Sequence, residues 1–267
     1  MSDFYIRRWL LPFAAAIVVT TLACGGEDDA SSAPAPAPPA PAALVAPPGV
    51  ELPKQIGPKQ WDSAPPMLID PSKRYTAIIE MEKGGEIVID LHADKAPKTV
   101  NSFVFLARQS FYDGLTFHKL TFDFATEGGD PTGTGTGGPG YFIEDELLPD
   151  LRHGSQGVVS MDNDGVPDTG GSRFIIVTAG GPGMSDSPQQ KAHREGSGGT
   201  SFATSFMDGF NADGSPKNCA DPEVACHTVF GLVVKGINTV KFISPRDPET
   251  ATSPGDAIKT IRIEEGD

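Results

Sequence analysis

The sequence predicts a mainly β domain over residues 71–267, a closed barrel whose ends are covered by two helices. Three observations support this. Short apolar runs recur along the domain, bounded by Gly, Pro, Asn and Asp. Only two segments suit a helix. No internal repeat interrupts the pattern.

The elements follow in order. Tyr75–Met81 and Glu86–Leu91 alternate in polarity and are joined through Lys83-Gly84-Gly85, a hairpin signal. Pro97 suits the first turn of a helix, and Val100, Phe103, Val104 and Ala107 then share one face. Short strands are expected at Leu115–Leu120 and Phe124–Glu127, before a long Gly-rich loop. Further strands are expected at Gly157–Met161, Arg173–Thr178 and Val229–Val234, with a short helix near Ile237–Phe242. Ala257–Glu264, carrying Ile258, Ile261 and Ile263, reads as a closing strand.

The N-terminus reads as a targeting segment. Arg7 and Arg8 precede an apolar run from Trp9 to Val19, and small residues then lead to Cys24. The run is shorter than the roughly 20 residues a spanning helix needs. Ala23-Cys24-Gly25 resembles the lipobox of bacterial lipoproteins, although Thr21 stands where a large aliphatic residue is usual. That resemblance implies a signal peptide over 1–23, lipidation of Cys24 and attachment to a membrane outside the cytoplasm. An ordinary signal peptide cleaved nearby is the alternative. Residues 24–70 then form a lipidated, disordered tether. Their Pro/Ala tract favours extended polyproline II, which advances roughly 3.1 Å per residue.

Composition narrows the function. A formal net charge of -14 argues against nucleic acid, which requires a basic face, and accounts for solubility. Cys219 and Cys226 suit a disulfide in an oxidising compartment, and two free thiols are the alternative. Only His227 lies beside them, so no metal site is expected. Gly133, Gly135 and Gly138 spell G-x-G-x-x-G, but Asp130-Pro131 before and Pro139-Gly140 after leave no place for a helix to start. Asp162–Gly165 lacks the spacing and the closing Glu of a calcium loop. No serine-hydrolase elbow is present. No cofactor is expected.

The remaining motifs carry a resemblance. "APKTVNSFVFLARQSFYDGLTFHKL", "EGGDPTGTGTGGPGYFIEDE", "LRHGSQGVVSMDNDG", "TGGSRFIIV" and "HTVFGLVVKGINTVKFI" occur in order across residues 73–264. Together they resemble bacterial cyclophilins. The resemblance implies an eight-stranded antiparallel barrel capped by two helices. It also implies a groove that binds X-Pro segments of proline-containing polypeptides and speeds their cis/trans exchange.

Such a groove needs little chemistry. Rotation about a peptide bond faces a barrier of roughly 18–20 kcal/mol, arising from amide resonance. A cation near the prolyl nitrogen and the carbonyl stabilises the twisted amide more than either planar form. An apolar pocket must hold the ring. No nucleophile or metal takes part.

Carried over position by position, the resemblance implies catalytic roles for Lys119, Phe124, Arg173 and His227. It implies peptide-holding roles for Phe117, His118, Ala125, Glu127, Asn163, Phe174 and Ile175. Phe117, His118, Phe124, Asn163, Phe174 and His227 match the family. Lys119 replaces the family's arginine and loses its planar fork. Ala125 replaces a methionine, which implies a wider, shallower site. Glu127 replaces a glutamine and is expected to pair with Lys119. Ile175 replaces a phenylalanine. Arg173 replaces a second glutamine, and has two readings: a displaced catalytic guanidinium, or a partner of Glu127 or of the acidic turn Asp162–Asp164. Phe206–Phe210 resembles the family segment that usually bears a tryptophan, whose absence implies weak binding of cyclosporin-class inhibitors. Asn211–Cys226 reads as an insertion on the groove's rim. Ser185–Thr200 is polar, with no readable role. Two functions follow: an isomerase assisting folding of exported proteins, or a non-catalytic proline-peptide binding module on a membrane tether. A monomer is expected.

Overall fold

The computed structural model describes residues 46–121, 124–179, 207–211, 213–221 and 223–267. The signal segment, Cys24, Ser185–Thr200 and Phe206 lie outside them.

Strands β1 (Gln55–Gly57) and β2 (Gln60–Trp61) form a small hairpin. Eight further strands build the main sheet: β3 (Arg74–Met81), β4 (Glu86–Leu91), β5 (Lys119–Thr121), β6 (Ala125–Gly128), β7 (Val158–Met161), β8 (Phe174–Val177), β9 (Thr228–Lys235) and β10 (Ile258–Gly266). Their order is β10-β3-β4-β9-β7-β8-β6-β5, and every pairing is antiparallel. Alternation dictates which face is inside. In β3, Tyr75, Ala77, Ile79 and Met81 are buried, and in β4, Ile87, Ile89 and Leu91. The short central strands β7 and β8 are buried on both faces.

The sheet curls because its two edges are tied together. Ile258 donates its N–H to Leu115 at 2.7 Å, and Phe117 donates to Asp256 at 2.9 Å. The chain entering β5 therefore leans on the start of β10, and Leu120 donates to Arg246 at 2.9 Å. No long bare edge is left there to pair with another chain. These ties also explain why β5 starts only at Lys119: residues 114–117 bond to the end of the chain instead of to β6.

Helices α1 (Pro97–Arg108) and α2 (Ile237–Lys241) match the two expected segments. The start of α1 has no cap from its neighbouring side chain. Instead the Glu146 carboxylate accepts N–H bonds from Lys98 at 3.0 Å and Thr99 at 2.8 Å. The buried face of α1 carries Phe103 into a ring cluster, 5.1 Å from Tyr112 and 5.3 Å from Phe230.

The boundary expected at residue 71 is corrected. Trp61 and Ile69 belong to the hydrophobic core, so the packed chain begins before the barrel's first strand. Trp61 donates its N–H to Pro139 at 2.8 Å and stacks edge-on to Phe105 at 5.6 Å. Lys59 Nζ donates to the carbonyls of Phe111 at 2.5 Å and Asp113 at 3.0 Å. A tryptophan gains too much from burial to remain on a solvated tether.

Candidate active site

The β5–β6 hairpin supplies the charged pair. Lys119 faces Glu127 across the ladder, and Nζ lies 2.8 Å from Glu127 Oε1. The expected ion pair is therefore present. Burial pushes the Glu127 carboxyl up from its ordinary range, and the neighbouring ammonium opposes this without cancelling it. Lys119 is the more exposed partner, with 45% of its side chain accessible.

Lys119 and Glu127 border a groove of about 380 Å³, together with Phe124, Ile175, Met207 and His227. Ala125, Ile175 and Met207 form a small apolar cluster on which Phe124 packs. Met207 was not singled out in the sequence. Its side chain packs beside Ala125, where the family resemblance implied an emptier site. The only sequence signal for it was the "FMDGF" stretch. His227 is aligned with this floor because its N–H donates to the Met207 carbonyl at 2.8 Å. Burial drives the His227 imidazole well below the usual histidine range, against the opposing pull of Asp162, so the ring is neutral at neutral pH.

The Gly-rich loop forms another wall through Thr134 and Gly135. Asp130 shapes it. Its carboxylate accepts N–H bonds from Thr132 at 2.7 Å, Thr134 at 3.0 Å and Thr136 at 3.1 Å. Burial works against this charge, but the converging donors outweigh it and hold the carboxyl below its usual range. Gly137 is required here, because a Cβ would lie 2.1 Å from Asp130 Oδ1.

Arg173 adopts the structural arrangement. Its Nε lies 2.9 Å from Asp162 Oδ2, a second nitrogen contacts Asp164, and Nη1 donates to the Gly137 carbonyl at 3.2 Å. It borders a neighbouring pocket of about 340 Å³ and not the groove of Lys119. Its partners are the acidic turn and not Glu127, because Glu127 is already taken by Lys119 across the hairpin. Burial works to raise the Asp162 carboxyl, but the Arg173 guanidinium and the Asp164 N–H oppose it and hold it low.

Several peptide-holding residues do not line the groove. Phe117 and Phe174 are interior, edge-on to each other at 5.8 Å. His118 is fully buried, with no hydrogen-bond partner at either ring nitrogen among the described residues. Asn163 is buried and braces its own loop. Its Nδ2 donates to Asp145 and to the Cys226 carbonyl at 3.3 Å, and its carbonyl accepts from Thr169 Oγ1 at 2.5 Å. Ala125 forms part of the floor. Asp162, Asp164 and the Asp247-Pro248-Glu249 segment, exposed at its two carboxylates, also border the groove, and the last of these carried no sequence signal.

Cys219 and Cys226 are bonded, with Cα atoms 5.6 Å apart, so the free-thiol alternative is set aside. Among the described residues of 211–226, none borders the groove, which corrects the expected rim position of the insertion.

A curled antiparallel barrel with an apolar cleft beside one lysine ammonium defines the class. The family profile "Cyclophilin type peptidyl-prolyl cis-trans isomerase/CLD" matches residues 76–265. The chain belongs to the cyclophilin-type peptidyl-prolyl cis-trans isomerase family. It is 34% identical over 181 residues to "Peptidyl-prolyl cis-trans isomerase-like 1" of Bos taurus, a match covering 67% of this chain and 85% of the relative. The protein of the same description from Rhizopus delemar is 44% identical over 173 residues, covering 64% and 80% respectively. The crystal structure of a cyclophilin type peptidyl-prolyl cis-trans isomerase from Cryptosporidium parvum superposes with a TM-score of 0.50 at 25% identity. That match covers 72% of this chain and 98% of the other.

Proposed function

We propose that the chain is an active peptidyl-prolyl isomerase of exported polypeptides, with Lys119 as its cation. The observation that carries this reading is the convergence of Lys119, Phe124, Met207, Ile175 and His227 on one groove. The apolar floor would take the prolyl ring. The ammonium would lie against the amide as it twists, where a fixed charge favours the twisted form over both planar ones. Binding by itself would not accelerate exchange, since a groove that held the planar forms equally well would leave the barrier unchanged.

One observation favours the second reading, a proline-peptide binding module with little catalysis. Glu127 occupies the Lys119 ammonium at rest, 2.8 Å away. Exchange spectroscopy on an X-Pro peptide with the full-length protein separates the two. Catalysed exchange supports the isomerase, and exchange at the uncatalysed rate overturns it. The proposal also includes export and lipidation at Cys24. Detergent partitioning of wild type against Cys24→Ala tests the anchor, and identical aqueous partitioning of both would exclude it.

A further inference from the structure

We infer that the groove selects proline segments carrying a lysine or arginine immediately before the proline. This rests on the proposed reading that the groove takes X-Pro peptides. It adds the chemistry of the flanking residue.

The argument is one of charge balance. Five carboxylates border the groove (Glu127, Asp162, Asp164, Asp247 and Glu249), against one lining cation, Lys119. Glu127 and Lys119 cancel each other at 2.8 Å. Arg173, behind the wall, contacts both Asp162 and Asp164 but carries a single charge, so one of the two is left uncompensated. Asp247 and Glu249 have no cationic partner among the described residues; Asp247 Oδ1 accepts only the Glu249 N–H, at 3.0 Å. The adjacent Arg246 is turned away, donating to the carbonyls of His118 and Ser253. Three negative charges therefore face the cleft unneutralised. Asp164 is 55% exposed at its side chain, and Asp247 and Glu249 are exposed, so a flanking ammonium or guanidinium can reach them without being buried.

A second, independent feature points to a ligand. His227 borders the same groove at 6% exposure, and its Nδ1, 4.0 Å from Asp162 Oδ1, has no hydrogen-bond partner among the described residues. A buried ring nitrogen without a partner is costly, and one kept in the wall of a groove marks a functional position. The net charge of -14 adds long-range attraction for a cationic segment.

The test is an NMR titration of the full-length protein with three peptides that differ only before the proline: Lys-Pro, Ala-Pro and Glu-Pro. Charges a few ångströms apart near a protein surface support a preference of about tenfold in affinity for Lys-Pro over Ala-Pro, larger still over Glu-Pro, and shrinking in high salt. The double substitution Asp247→Asn with Glu249→Gln should reduce the Lys-Pro preference severalfold. Equal affinities for the three peptides at low salt would overturn the inference, as would a preference insensitive to salt. Exchange rates on the same samples report separately on catalysis: no acceleration with a retained charge preference would defeat the isomerase reading alone.

Discussion

Lys119 stands 2.8 Å from Glu127 and on the wall of the apolar groove, so one ammonium serves both the ion pair and the cleft. If it is the isomerising cation, Lys119→Ala should reduce kcat/KM on an X-Pro peptide about 100-fold, the scale of losing one fixed electrostatic group. Line-shape analysis of exchange would read this. Glu127 sets a pH dependence. Burial raises its carboxyl range, so on acidification it takes up its proton earlier than an exposed glutamate does. Above that range it holds Lys119, and below it the ammonium is released toward the groove. Activity should therefore rise as pH falls through the range just above the ordinary glutamate value, and Glu127→Gln should flatten the profile. Arg173 works on stability. Only 7% of its side chain is exposed, and it holds Asp162, itself 14% exposed. Arg173→Ala strands that carboxylate and should cost about 3 kcal/mol, read as a lower midpoint in chemical denaturation.

At the scale of elements, two loops hold the groove open. The Gly-rich loop is gathered around Asp130, and this internal bonding delivers Thr134 and Gly135 to the wall. On the other side, Cys226 sits at φ 44, a left-handed conformation that costs a non-glycine residue, immediately before His227. The disulfide to Cys219 and the hydrogen bond from Asn163 restrain it there. Closing so short a loop removes unfolded-state entropy worth about 2.5 kcal/mol. Substituting both cysteines by serine should lower stability by about that amount. It should also weaken peptide binding through His227, whereas removing a purely peripheral staple would leave affinity unchanged. Thermal melts and peptide titrations of wild type and the double variant check both effects.

The whole molecule extends beyond the family match, which begins at residue 76. The β1–β2 hairpin inserts Trp61 against Phe105 and Phe111, and Lys59 bonds the turn after α1. The barrel is thus fastened to its own leading segment on the side of α1. Trp61→Ala should destabilise the protein by about 3 kcal/mol through lost burial and a residual cavity. Denaturant unfolding would measure it, and an unchanged midpoint would show that the segment is dispensable.

Most strands and both helices were legible in the sequence because they rest on local rules, whereas the late start of β5 depends on bonds from residues 114–117 to the end of the chain. Alternation sets the inner face of β3 and β4, Pro97 starts α1, and Lys83-Gly84-Gly85 turns the first long hairpin. The Lys119–Glu127 pair was legible for the same reason, since a short hairpin brings the two residues opposite each other. Contacts between distant segments were not. The choice of Asp162 and Asp164 as partners of Arg173, the packing of Met207 beside Ala125 and the approach of Asp247 and Glu249 to the groove depend on where loops land. No spacing rule encodes that. Trp61 shows the same limit, because a proline-rich neighbourhood looks like a tether until an apolar ring finds a hydrophobic face to cover. Local sequence determined the strands and the nearby charge pair, while only long-range burial and charge balance decided which residues border the groove.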